Sequence, residues 1–108
     1  MSEEQLCPTF GATIYIAGDE QTAKHICRQY CFEVGLCVTI EPTTFIYTGG
    51  EEAGVRVGLI NYPRFPTTPD AIFETACALG DKLMHGLCQH SYSVVGPNKT
   101  RWFSRRDK

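Results

Sequence analysis

The stretch TIYIAGDEQTAKHICRQYCFEVGLCVTIE, Thr13 to Glu41, decides the fold. Its first residues alternate, Ile14 and Ile16 pointing one way and Thr13 and Tyr15 the other, which is the period of a strand with one buried face. Gly18-Asp19 turns the chain, and the Asp19 side chain is placed to accept a hydrogen bond from a free backbone N–H where a helix begins. Ala23, Ile26, Cys27, Tyr30 and Val34 then recur at three- and four-residue spacing, one apolar stripe at about 100° per residue. Gly35 ends the helix because glycine accepts the left-handed conformation of a C-terminal cap. Leu36, Val38 and Ile40, alternating with Cys37, Thr39 and Glu41, predict a second half-exposed strand.

Beyond Glu41, Pro42 marks a bulge or an edge position. Thr43 to Thr48 resumes β-like composition. Gly49-Gly50-Glu51-Glu52-Ala53-Gly54 predicts a hairpin loop, and Val55 to Tyr62 the returning strand with Val57 and Leu59 inward. Two prolines exclude Tyr62-Pro63-Arg64-Phe65-Pro66 from regular structure. Thr68-Pro69-Asp70 opens a second helix with a cap, a proline in the first turn and an acid beside it. Its stripe is Ile72, Phe73, Ala76, Leu79, Gly80, Leu83, Met84 and Leu87, with Ala76 and Gly80 leaving a flat spot for close approach. Ser91 to Val95 predicts a strand, Gly96 to Lys99 a turn and Thr100 to Phe103 a last short strand.

The expected class is α+β: a two-layer βαββαβ sandwich, its antiparallel sheet carrying both helices on one face, with an extra C-terminal strand. From Thr13 to Val95 this order of elements resembles the ferredoxin-like, split βαβ architecture, which hosts many unrelated functions. The expected division is an N-terminal tail (1–11), a single domain (12–103) and a basic C-terminal tail (104–108).

A chain of 108 residues, 43% apolar and 20% charged, has the size and balance of one folded domain. A formal net charge of −2 exerts no overall pull on nucleic acid or membrane. Yet Lys99, Arg101, Arg105, Arg106 and Lys108, half of the 10 basic residues, crowd the C-terminus. No apolar run has the length of a membrane span, and the acidic start lacks the basic opening and apolar core of an export signal. A cytoplasmic chain is expected, its six cysteines reduced and behaving as small hydrophobes.

Candidate sites follow from chemistry and spacing. His25, Cys27 and Cys31 cannot share a metal, since on a helix His25 stands about 160° from Cys27 and about 120° from Cys31. Asp81, His85 and Cys88 share a helix side, with His90 just beyond, and are weak metal candidates. No cysteine sits at a helix N-terminus, where a thiolate would be stabilised, and no serine occupies a nucleophile elbow. The loop at 49–54 is glycine-rich but its two glutamates repel phosphate.

Ile14-Tyr15-Ile16 is similar to the first-strand motif of RNA-recognition modules, but the returning strand Arg56-Val57-Gly58-Leu59-Ile60-Asn61 lacks the aromatics that stack bases. That argues against nucleic acid, with the basic C-terminus as the remaining route. Thr13, Tyr15, Thr39, Arg56 and Ile60 would line an open sheet face, with Tyr62, Arg64 and Phe65 at its end and Trp102 nearby. The leading expectation is therefore a non-catalytic binding domain, a homodimer through that face, drawing on Tyr15, Arg56, Tyr62, Arg64, Phe65 and Trp102. The alternatives are an effector-sensing domain, a small enzyme or metal site using Asp81, His85 and His90, and nucleic-acid binding by the C-terminal tail. No cofactor is expected.

Overall fold

Alternating apolar residues build the strands and three- to four-residue spacing builds the helices, in the order β1 (Gly11–Ala17), α1 (Glu20–Val34), β2 (Thr39–Tyr47), β3 (Gly50–Ile60), α2 (Pro69–Gly86), β4 (Ser91–Val95) and β5 (Thr100–Ser104). This computed structural model describes residues 2–105. All five strands join one antiparallel sheet in the order β2-β3-β1-β4-β5. The α+β class expected from the sequence is what forms. Among the described residues, no helix is long and apolar enough to cross a membrane.

Both helices start as their caps dictate. The Asp19 carboxylate accepts from the Thr22 backbone N–H at 2.8 Å, which holds its carboxyl below the usual carboxylate value. Thr68 Oγ1 accepts from the Ala71 N–H at 3.1 Å, with Pro69 in the first turn. Gly35, at φ 71°, ends α1 by donating its N–H to the Cys31 carbonyl at 2.9 Å.

The core lies between the helices and one face of the sheet. Ala12, Ile14 and Ile16 of β1, Val55, Val57 and Leu59 of β3, and Tyr92 and Val94 of β4 meet Ala23, Cys27 and Tyr30 of α1 and the stripe of α2 in one cluster. Val34, expected in the α1 stripe, is instead half exposed, because the helix ends there and its last turn overhangs the core. The flat spot on α2 is filled by the Tyr92 ring. Its hydroxyl donates to the Cys77 carbonyl at 3.1 Å and contacts the Asp81 carboxylate. Burial first, and then that contact with Asp81, push the phenol's pKa well up, so it stays protonated.

A Cβ at Gly80 would lie 2.4 Å from Tyr92 Cε2. Gly80→Ala should therefore destabilise the chain by about 1–2 kcal/mol, the overpacking cost exceeding the roughly 1 kcal/mol gained in helix propensity. The check is a lowered urea midpoint with an unchanged slope.

Three local expectations need correction. The second strand starts at Thr39 rather than Leu36 and runs through Pro42, which is tolerated because β2 is a sheet edge. The predicted loop at 49–54 is mostly strand: Tyr47 pairs with Gly50, Phe45 with Glu52 and Thr43 with Gly54, so the turn is only Thr48-Gly49. The resulting long ribbon contributes to overall dimensions of 54 × 28 × 23 Å. At the other extreme, Ser104 belongs to β5, and Arg105 is fastened by its N–H to the His90 carbonyl at 2.9 Å and by its guanidinium to the Gln89 carbonyl at 3.0 Å. Residues 106–108 of the expected basic tail lie outside the described residues.

The segment before β1 is tied down by Asn61, a buried polar residue just after β3. Its side-chain amide donates to the Pro8 carbonyl and accepts from the Thr67 N–H, both at 2.8 Å. Its backbone N–H reaches the Phe10 carbonyl at 3.0 Å. Because a buried amide needs its partners, this one residue links three segments.

Candidate functional site

The sheet face away from the helices carries the residues that alternate with the core. Strand register sets Glu41, Arg56, Tyr15, Ser93 and Trp102 side by side across all five strands. The neighbouring row is made of small groups: Thr43, Gly54 and Ala17, continued on the β4 side by Ser91 and Ser104. Of these, Ala17 and Ser91, with Ser93 of the adjoining row, leave the floor of a depression, and larger residues around them make its walls.

The walls are aromatic. Phe45 reaches from the edge strand across Gly54, where a Cβ would come within 2.4 Å of its ring. Tyr15 and Trp102 rise from β1 and β5, and Trp102 is 62% exposed. Together with Glu52 on the ribbon and His90, Ser91 and Ser93 at β4, they line a depression of about 220 Å³. Glu52 supplies a carboxylate at its rim. A second depression of about 410 Å³ lies on the same face, lined by Gly11, Thr13, Thr39, Glu41, Arg56 and Gly58 among others. Between the two stands Tyr15, with the Arg56 guanidinium 5.8 Å from its ring centre and 3.4 Å from the Glu41 carboxylate.

Of the residues expected at this face, Tyr15, Arg56 and Trp102 are brought together there. Tyr62, Arg64 and Phe65 are not. The Tyr62 and Phe65 rings meet edge-on, 5.9 Å between centres, and line a separate hollow of about 100 Å³ with Leu36 and Ile72 beside the helices. There the Tyr62 hydroxyl lies 3.4 Å from Cys37 Sγ, and that hydrogen bond raises its pKa. Nor does the terminal hairpin cover the face: it widens the sheet, sending Phe103 to the Tyr92 side and leaving Trp102 in the open.

The weak metal candidates are dispersed. Asp81 is engaged with Tyr92, His85 Nδ1 pairs with the Asp81 carbonyl at 2.8 Å, Cys88 follows the helix end at φ 57°, and His90 lines the open-face depression. Among the described residues, no group of three His, Cys, Asp or Glu side chains is placed to hold a metal ion. Burial, with neighbouring Cys31 adding to it, pushes the Cys27 thiol up to about 11, which keeps it a core hydrophobe. The basic residues before the C-terminus are engaged too: Lys99 Nζ lies 4.9 Å from the Phe73 ring centre and the Arg101 guanidinium 5.3 Å from that of Phe103.

Phe45, Glu52, Ser91 and Ser93 were not singled out from the sequence. The signal that could have found them is period two running back from Arg56 through Gly54 to Glu52, which puts the glutamate on the open face once the ribbon is recognised as paired.

No protein-family model matches this chain, and no curated protein does. Two solved structures share its fold. A phage SAM lyase in the apo state superposes with a TM-score of 0.73 at 16% identity, covering 100% of this chain and 99% of the other. A phage SAM lyase in complex with S-methyl-5'-thioadenosine gives 0.72 at 13% identity, covering 96% and 95%. At such identity the likeness is one of fold. These matches nonetheless overturn the expectation of a non-catalytic, protein-binding domain dimerised through its open face. The end-to-end fold is that of enzymes in both cases, one holding a small ligand, so an uncovered sheet is no sign of a protein partner.

Proposed function

We propose that this chain is a lyase that cleaves S-adenosylmethionine and releases S-methyl-5'-thioadenosine, using the aromatic depression of the open sheet face. The observation that carries the reading is that depression: three aromatic side chains from three strands and one carboxylate around a floor of small residues. It occurs on a fold that a SAM lyase shares from end to end. Fold alone assigns no chemistry, so the side chains must account for the reaction.

The substrate brings its own nucleophile and its own leaving group. One oxygen of its carboxylate attacks the γ-carbon, the C–S bond breaks, and the bonding pair goes to sulfur, which loses its positive charge. A five-membered lactone and a neutral thioether result, with no water consumed and no proton moved. The lack of a serine or cysteine nucleophile, which argued against an enzyme, has no bearing on such a reaction. Since an anion and a cation are both neutralised on the way, surroundings less polar than water favour the step. What a site must do is fold the amino-acid arm back and exclude solvent.

In this reading, Trp102 and Phe45 flank the adenine and Tyr15 faces the sulfonium, whose charge is drawn to an aromatic face. Glu52 accepts from the ribose hydroxyls and draws a cationic substrate to the rim. The architecture is read as a ferredoxin-like sandwich with β5 added beside β4, supported by the strand order, and the protein as a single cytoplasmic domain.

NMR titration with S-methyl-5'-thioadenosine tests the placement. The Trp102 indole N–H and the amides of Ala17, Ser91 and Ser93 should shift together and saturate. Shifts confined to α1 and α2, or none at millimolar ligand, would refute it.

A further inference from the structure

In the lyase reading the second depression lies outside the thioadenosine site, and it adjoins the first across Tyr15. Its rim holds one cation and one anion of fixed relation: Arg56 and Glu41 are direct cross-strand partners, 3.4 Å apart. Their side chains remain 48% and 62% exposed. An ion pair so open to water contributes little to stability, typically below about 1 kcal/mol, so its structural value is small. One cation beside one anion is nonetheless the charge complement of an amino-acid zwitterion.

Glycine lets neighbours close in beside the pair: at Gly58 a Cβ would lie 2.7 Å from Thr39 Oγ1, so the Thr39 side chain rests over that position, and at Gly11 one would lie 2.5 Å from the Leu59 carbonyl oxygen. Thr13 and Thr39 add hydroxyls to the same depression. Along β1, Thr13 and Ala17 each line one depression and are four residues apart, roughly 13 Å at strand spacing. A nucleoside bearing an amino-acid arm bridges two such places, passing over Tyr15.

We infer that the Arg56–Glu41 pair is the specificity element that reads the amino-acid end of the substrate, an inference that rests on the lyase reading of the neighbouring depression. Arg56 donates to the α-carboxylate and Glu41 accepts from the α-ammonium, each exchanging its internal partner for the substrate's charge. The guanidinium, its carbon 5.8 Å from the Tyr15 ring centre, stays charged and presents several donors from one rigid plane, which a lysine does not. By taking one carboxylate oxygen, Arg56 leaves the other free for ring closure on the γ-carbon.

Two ligands separate the subsites. S-adenosylhomocysteine carries the amino-acid arm but no sulfonium, and S-methyl-5'-thioadenosine lacks the arm. By calorimetry, Arg56→Gln and Glu41→Gln should each weaken S-adenosylhomocysteine binding roughly ten- to hundredfold, as loss of a charge-assisted hydrogen bond does. Both should leave S-methyl-5'-thioadenosine binding within about twofold, which also reports that the variants are folded. Equal weakening of both ligands, or of neither while both bind the unaltered chain, overturns the inference. Failure of the unaltered chain to bind S-methyl-5'-thioadenosine overturns the lyase reading itself.

Discussion

Trp102→Ala should weaken binding of S-methyl-5'-thioadenosine by roughly five- to hundredfold, because a base stacked on an aromatic side chain gains about 1–3 kcal/mol. Trp102 is 62% exposed and takes no part in the core, so the melting temperature should hardly move. Trp102→Phe keeps a flat ring and should retain most of the affinity. Calorimetry beside thermal denaturation separates the effects. Unchanged affinity for the alanine variant would mean that adenine is not held at β5. A large fall in melting temperature would mean that the exposed indole supports the fold.

Gly54→Ala should have the largest structural effect of any single methyl group added to the open face. The new Cβ would meet Phe45 Cε2 at 2.4 Å, the Ile16 carbonyl oxygen at 2.5 Å and Ala17 Cα at 2.9 Å. Only the Phe45 ring can swing aside; the two β1 backbone atoms can move only by distorting the ladder between β1 and β3. Overpacking of this kind costs about 1–3 kcal/mol, a fall in Tm on the order of 10 °C for a domain of this size. Because Phe45 is also a wall of the depression, ligand affinity should fall with stability. In Trp102→Ala it falls without it. A Gly54→Ala chain that melts and binds like the original would show that this close approach is not needed.

Much of the scaffold was legible because its signals are local. Gly18-Asp19, Thr68-Pro69 and Gly35 mark helix ends through side-chain caps and a left-handed residue, and each acts there as expected. The flat spot at Gly80 was visible from composition alone, although not that Tyr92 would fill it. What failed is non-local. Gly49-Gly50-Glu51-Glu52-Ala53-Gly54 has loop composition, yet most of it pairs with β2, because its glycines make room for neighbours and its carboxylates face water along a projecting ribbon.

Misreading that ribbon hid the site. Phe45 and Glu52 matter only once the register opposes them, and Ser91 and Ser93 matter as floor, which no residue type announces. Tyr15, Arg56 and Trp102 could be found because alternation placed them outward. Tyr62, Arg64 and Phe65 were grouped with them by nearness in sequence, whereas the chain turns at Tyr62 to meet Phe65 in an isolated bridge of its own. On the proposed lyase reading the chemistry leaves no nucleophile, base or acid in the sequence, because the substrate would supply both the attacking and the departing group.

Whether the open sheet face makes S-adenosylmethionine cleave itself, as proposed, is tested most directly by mass spectrometry of the products. Purified chain incubated with S-adenosylmethionine in ¹⁸O-labelled water should yield S-methyl-5'-thioadenosine far faster than buffer alone. At the earliest times the accompanying four-carbon product should be the unlabelled lactone. Decay of the substrate at the buffer rate, or a four-carbon product that carries ¹⁸O from the start, would contradict the proposal.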